Sequence, residues 1–114
     1  MYTFRNPIKV VKILIVAFLL ATLFGCGDDD KKTLQDAPSD VAALYKARCL
    51  NCHGSELQGR VGPNTSLIDI GNRMTLEDIT KQIQEGENLV MPAFKDSLTQ
   101  EEITSLAEWL ASLK

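Results

Sequence analysis

This sequence is poor in the side chains that usually fill a core. Only seven of its 114 residues are aromatic, and four of those seven fall in the first 25 positions. From Cys26 onward, Tyr45, Phe94 and Trp109 are all that remain. There is one histidine and there are three cysteines, so a metal or redox centre has few residues to draw on. Basic charge is short as well. Residues 26–114 carry nine Lys and Arg against fifteen Asp and Glu, a net charge of −6, which excludes a binder of nucleic-acid backbones. Long apolar runs do not recur, which excludes a multi-span membrane protein, and the length excludes a multidomain enzyme. No segment alternates convincingly as a strand. A chain this short buries only about 60% of its unfolded surface, and below roughly 70–80 residues a disulfide, a metal or another staple is usually needed.

What is present begins with Arg5, Lys9 and Lys12, followed by the apolar run Ile13 to Phe24. As a helix that run is about 18 Å long, well short of a bilayer core of about 30 Å. A basic start and a short apolar stretch read as a secretory signal over residues 1–25, with an uncleaved anchor as the alternative. Leu23-Phe24-Gly25-Cys26 resembles the lipobox of bacterial lipoproteins, with Phe24 where that family has a small residue. The resemblance implies cleavage before Cys26 and acylation of its thiol. Each buried CH₂ of an acyl chain contributes about 0.8 kcal/mol, so two chains anchor stably. Residues 26–38 then read as the acylated cysteine and a flexible acidic tether ending at Pro38.

Residues 39–114 read as all-α, with three helices joined by long loops. Ser39 is expected to cap a helix starting at Asp40, with Val41, Leu44 and Tyr45 on one face and Arg48 near its end. Thr75 opens the second, with Asp78 as the capping-box acid, Leu76, Ile79 and Ile83 along one face, and Gly86 as the stop. Thr99 and Glu102 box the third, whose stripe is Ile103, Leu106, Ala107, Leu110 and Leu113. Gly54 to Asn72, with four glycines and Pro63, reads as loop with one short helical turn at most. Glu87 to Leu98 is a second loop. Three such helices bury little against one another, and a flat apolar body of haem size would complete the core.

Cys49-Leu50-Asn51-Cys52-His53 is Cys-x-x-Cys-His, the c-type haem attachment motif. Two thiols three residues apart on one helical turn can reach the two vinyl groups along one porphyrin edge. The next residue sets its imidazole over the iron. Three other chemistries suit part of the motif. A structural disulfide is compatible with secretion. A thioredoxin-like pair would open a helix in a strand-rich fold, whereas this pair closes a helix. Zinc requires four ligands, and Cys49, Cys52 and His53 supply three.

The chain resembles class I cytochrome c, and more narrowly the small lipoprotein cytochromes c of Gram-positive bacteria. The resemblance runs from about Asp40 to Lys114 and rests on Leu44-Tyr45, Cys49 to His53, Gly62-Pro63-Asn64, Met91-Pro92 and Leu106-Ala-Glu-Trp109-Leu110. It implies haem c bound covalently through Cys49 and Cys52, with His53 as one axial ligand. It also implies that the Pro63 carbonyl accepts the hydrogen bond of the His53 Nδ1–H, leaving Nε2 for iron. Tyr45 and Trp109 match the aromatic contact where the first and last helices cross. Val41 stands where the family usually has Gly, so a wider or shifted crossing is expected. For the sixth ligand there are three methionines; Met1 leaves with the expected signal, so the choice lies between Met74 and Met91. Met74 precedes a helix cap, where it can act as a hydrophobic staple on Ile79. Met91 lies in a loop before Pro92, as the axial Met of the family does, and is the expected ligand.

With His53 and Met91 both bound, the iron has no open position, and the haem only passes electrons. The expected function is therefore electron transfer rather than catalysis. The carrier would be a lipid-anchored monomer on the extracytoplasmic face of the cell membrane or on the outer membrane. By resemblance it moves electrons from a quinol-oxidising complex to a terminal oxidase. The alternative is a haem enzyme or gas sensor in which Met91 is displaced. One consequence is independent of partners: removing the haem should remove the core. Changing both Cys49 and Cys52 to Ala should leave little helix by circular dichroism, and a cooperatively folded double variant would contradict the thin-core reading.

Overall fold

The computed structural model describes residues 31–114 apart from Leu89, together with Ile8, Val11, Lys12 and Ile15. The chain divides into two units, Met1–Asp30 and Lys31–Lys114. The four described residues of the first unit are helical and exposed. Cys26 and most of the expected signal lie outside the described residues. No helix among the described residues is long and apolar enough to cross a membrane.

The second unit is helical throughout, in the order α1 (Ser39–Arg48), α2 (Leu50–His53), α3 (Ile70–Arg73), α4 (Leu76–Glu85) and α5 (Gln100–Ala111), with 3₁₀ turns at Leu34–Asp36 and Pro63–Thr65. Among the described residues the nearest thing to a sheet is one isolated bridge, Glu87 with Met91. Helix α5 is the hub, packing on α4, α1 and α3. All five residues of its expected stripe are buried, and Trp109 joins them.

Both expected capping boxes form. Thr75 accepts from the Asp78 N–H while the Asp78 carboxylate accepts from the Thr75 N–H, and Thr99 and Glu102 do the same. The Thr75 hydroxyl and backbone N–H also hold the Asp78 carboxyl below its ordinary value. Helix α1 starts differently from expectation. Its N-cap is Pro38, whose carbonyl accepts the Ala42 N–H at 2.8 Å, and Ser39 is the first helical residue with no capping role. The fixed φ of proline already sets the entry to the helix, so no side-chain cap is required. Leu76, at the first position of α4, is 45% exposed, and the buried stripe of that helix is Ile79 and Ile83.

The expected tether is not all tether. Thr33 and Asp36 form a third capping box around the 3₁₀ turn, and Leu34 is only 6% exposed in the core. One leucine with a place to bury its side chain outweighs the polar composition of its neighbours. The packed core thus includes Leu34, ahead of the expected start at Ser39. The loop from Gly54 to Asn72 holds two short turns, Pro63–Thr65 and α3, rather than one. Ahead of both, Leu57 takes a left-handed backbone (φ 64°), buries its side chain, and its carbonyl accepts the Leu67 N–H at 2.8 Å.

Tyr45 and Trp109 meet edge to face, with centroids 5.7 Å apart and planes at 77°. Val41 is 2% exposed, and the aromatic contact forms with Val in place of Gly. Glycine is required elsewhere. Gly71 donates to the Leu113 carbonyl at 2.8 Å, and a Cβ there would overlap the carbonyl oxygen of Ala111. Both neighbours are backbone, so no rotamer change relieves the clash. Gly71→Ala should lift α3 from the end of α5 and cost roughly 1–3 kcal/mol in denaturant melts of the holoprotein. An unchanged midpoint would show that the α3–α5 contact is not tight in solution.

Candidate functional site

The residues of the Cys-x-x-Cys-His motif form the corner between α1 and α2. Cys49 closes α1, its N–H bonded to the Tyr45 carbonyl at 2.8 Å, and its own carbonyl accepts from His53 at 3.0 Å. The following loop folds back on the motif. Gly54, Gly59 and Arg60 donate to the carbonyls of Leu50, His53 and Cys52, each at 2.8 Å. Tyr45 ties this corner to the core: its ring packs on Trp109, and its hydroxyl donates to the Gly54 carbonyl at 2.8 Å. Burial pushes the Tyr45 hydroxyl pKa well above the ordinary phenol value.

Cys49 and Cys52 are free thiols in unequal surroundings. Cys52 is exposed and Cys49 half-buried. Burial, and then the charge of Cys52, push the Cys49 thiol up to about 11, so it stays protonated at neutral pH. The zinc alternative finds no fourth ligand, since no metal-binding group of His, Cys, Asp and Glu side chains gathers among the described residues.

The corner opens onto a cavity of about 510 Å³, within the span of about 300–1,000 Å³ common for ligand pockets. Cys49, Cys52, His53, Met74 and Met91 all line it. The structure therefore brings together residues that are 42 positions apart in sequence. Its wall is mostly apolar, and it draws on the core itself. Seven of the fourteen buried hydrophobic residues line it, among them Ile70, Ile79, Ile83 and Leu106. Soft and basic donors in an apolar, haem-sized space suit a haem better than a bare ion, and the residues fit that group.

The expected partner of His53 is corrected by the geometry. His53 Nδ1 lies 2.6 Å from the carbonyl oxygen of Thr65, not that of Pro63. The 3₁₀ turn explains the change. It commits the Pro63 carbonyl to the Ser66 N–H at 3.3 Å, and the carbonyl that faces His53 is that of Thr65, the last residue of the turn. The Thr65 hydroxyl, donating to Gly62 at 2.7 Å, holds the turn closed. Pro63 itself is exposed and does not line the cavity. The effect on His53 is the one expected of Pro63: Nδ1 is engaged and Nε2 is left free.

Met91 is half-buried in the loop after α4. That loop is tight. Glu87 and Met91 exchange backbone hydrogen bonds at 3.0 and 3.1 Å, and Gly86 (φ +70°) packs so closely that a Cβ would overlap the Met91 carbonyl. Beyond it, Phe94 donates to the Ile83 carbonyl at 3.0 Å, fastening the loop to the end of α4. Met74, at the C-cap of α3, is half-buried against the core on the same cavity wall. Thr65 and Gln82 are site residues that sequence reasoning did not single out. Nothing in their local sequence marks them, because both act through side chains or carbonyls brought in by tertiary folding.

Residues 36–110 match a family model described as "Cytochrome C oxidase, cbb3-type, subunit III". The chain is 30% identical over 113 residues to cytochrome c-551 of Bacillus subtilis, covering 91% of this chain and 96% of that protein. It is also 30% identical over 88 residues to cytochrome c-550 of the same organism, covering 77% of this chain and 69% of the relative. In fold it is similar to the crystal structure of cytochrome c6C from Synechococcus sp. PCC 7002, with a TM-score of 0.55 at 22% identity, covering 64% of this chain and 92% of that one. Sequence kinship that extends well beyond the attachment motif, joined to a helical fold whose core is hollowed to take a haem, makes the chain a member of the cytochrome c family: a small class I monohaem electron carrier with covalent haem c.

Proposed function

We propose that the protein carries single electrons between a quinol-oxidising complex and a terminal oxidase, held at the outer face of a bacterial membrane by an acylated Cys26. In this reading residues 1–25 are a cleaved signal, and Cys49 and Cys52 hold the haem by thioether bonds. His53 and Met91 would be the two side chains that hold its iron. The observation that carries the reading is the presence of both His53 and Met91 on the wall of one apolar cavity. The matching family model, described as an oxidase subunit, supports the oxidase as the class of acceptor.

Bound haem supplies the one-electron couple of its iron. The chain does the rest. The Thr65 carbonyl holds the Nδ1 proton of His53 and so keeps Nε2 available. Ile79, Ile83, Leu98 and Leu106 exclude water, which favours the less charged, reduced site. With His53 and Met91 both holding the iron, no position would be left for a substrate, and the site would only pass electrons.

Carbon monoxide should leave the spectrum of the reduced protein almost unchanged. A prompt shift would favour the enzyme or sensor reading, with Met91 displaced. Met91→Ala should abolish the weak far-red sulfur-to-iron band of the oxidised protein, lower its potential and open the iron to carbon monoxide. Met74→Ala should keep all three properties and cost stability instead, up to roughly 2–5 kcal/mol for a truncated buried side chain. If Met74→Ala removes the band and Met91→Ala keeps it, the ligand assignment is reversed.

Cys26→Ser should move the haem from the membrane fraction to the soluble one, or leave a heavier, uncleaved precursor. Mass spectrometry of the mature N-terminus distinguishes these results. A native protein that begins elsewhere than at Cys26 would remove the lipid anchor from the reading.

A further inference from the structure

Gln82 lies in the last turns of α4 and lines the cavity. Its amide nitrogen sits between two residues of the neighbouring loop. Nε2 is 2.9 Å from the Glu87 carboxylate oxygen Oε2 and 4.0 Å from the Met91 sulfur. An amide nitrogen carries two hydrogens, so one can serve each acceptor. Glu87 is itself fixed to Met91, because the two exchange both backbone hydrogen bonds. Backbone pair, carboxylate, amide and sulfur thus form a closed ring.

The two acceptors are unequal. A thioether sulfur is weak, and at 4.0 Å it would not by itself keep a flexible glutamine aimed at it. A carboxylate is a strong acceptor at 2.9 Å, and a charged partner roughly doubles the strength of such a bond. The strong bond therefore sets the direction of the weak one. We propose that Glu87 and Gln82 act together as positioning residues for Met91: Glu87 takes one amide hydrogen of Gln82 and so aims the other at the sulfur. This rests on Met91 being the axial ligand. An N–H directed at the sulfur draws electron density from it and leaves a weaker donor to ferric iron. The relay therefore favours the reduced state and raises the potential. The charge of Glu87 acts in the opposite sense, so the potential alone cannot separate the two effects, whereas the position of the sulfur-to-iron band follows the aim of the amide.

The test uses the full-length, haem-loaded, oxidised protein and reads the far-red band together with the potential. Met91→Ala is the control. If it keeps the band, the ligand assignment fails and the relay with it. If it loses the band, the relay is tested by itself. Gln82→Leu should then move the band and lower the potential, with Gln82→Ala in its place if that variant does not take up haem. Glu87→Leu should move the band in the same direction, because the released amide swings away. Glu87→Gln, whose carbonyl can accept the same hydrogen, should return the band close to its native position. The double variant Gln82→Leu with Glu87→Leu should move it no further than Gln82→Leu alone. Additive shifts, an unmoved band in Glu87→Leu, or a shift in Glu87→Gln as large as that in Glu87→Leu would each overturn the relay while leaving Met91 as the ligand.

Discussion

Apolar packing around the central cavity is the interaction on which the rest of this protein depends. The side chains that bind the helices together are in large part those that line the cavity. Ile79 and Ile83 from α4, Leu106 and Leu110 from α5, and Ile70 from α3 serve both purposes. A domain of this size has little apolar surface to spare. Filling the cavity with haem would therefore complete the apolar core, and covalent attachment through two thiols would keep the group on the chain even when it unfolds.

The frame around that cavity is fixed at three points. The Tyr45–Trp109 contact sets the crossing of α1 and α5, and the Tyr45 hydroxyl carries the same constraint to the turn after His53. The Gly71–Leu113 hydrogen bond pins the long loop to the end of α5. The Glu87–Met91 bridge, wedged against Gly86, shapes the second loop. At each point a contact with Trp109, Leu113 or Gly86, none of which lines the cavity, helps to place a segment that does. That is how a helical chain with two long loops can hold His53 and Met91, from distant segments, in a fixed relation.

Charge plays a smaller part inside this domain than hydrogen bonding. The three capping boxes, at Thr33, Thr75 and Thr99, stop the helices fraying where they meet loops. At the site, neutral donors and carbonyls do most of the positioning, with Glu87 the one carboxylate drawn into it. An electron carrier benefits from this economy.

The sequence by itself determined the parts whose signals are local. The Cys-x-x-Cys-His spacing, the capping boxes of α4 and α5, the stripe of α5 and the turn at Gly86 all depend on neighbours within a few positions, and all are present. Covalent haem c was legible through the Cys-x-x-Cys-His motif, and Pro92 drew attention to Met91, which lines the cavity. Four features were decided only by tertiary structure. The burial of Leu34 depends on a space that distant residues leave open. The choice of Thr65 over Pro63 depends on which carbonyl of a 3₁₀ turn faces the imidazole. The arrival of Met74 on the same wall as Met91 depends on how α3 docks on α5. The contact of Gln82 with Glu87 and Met91 depends on a loop closing over the end of α4. In each case the deciding partner lies in another segment or in the geometry of a turn, and no local pattern encodes the side on which a carbonyl or an amide will face.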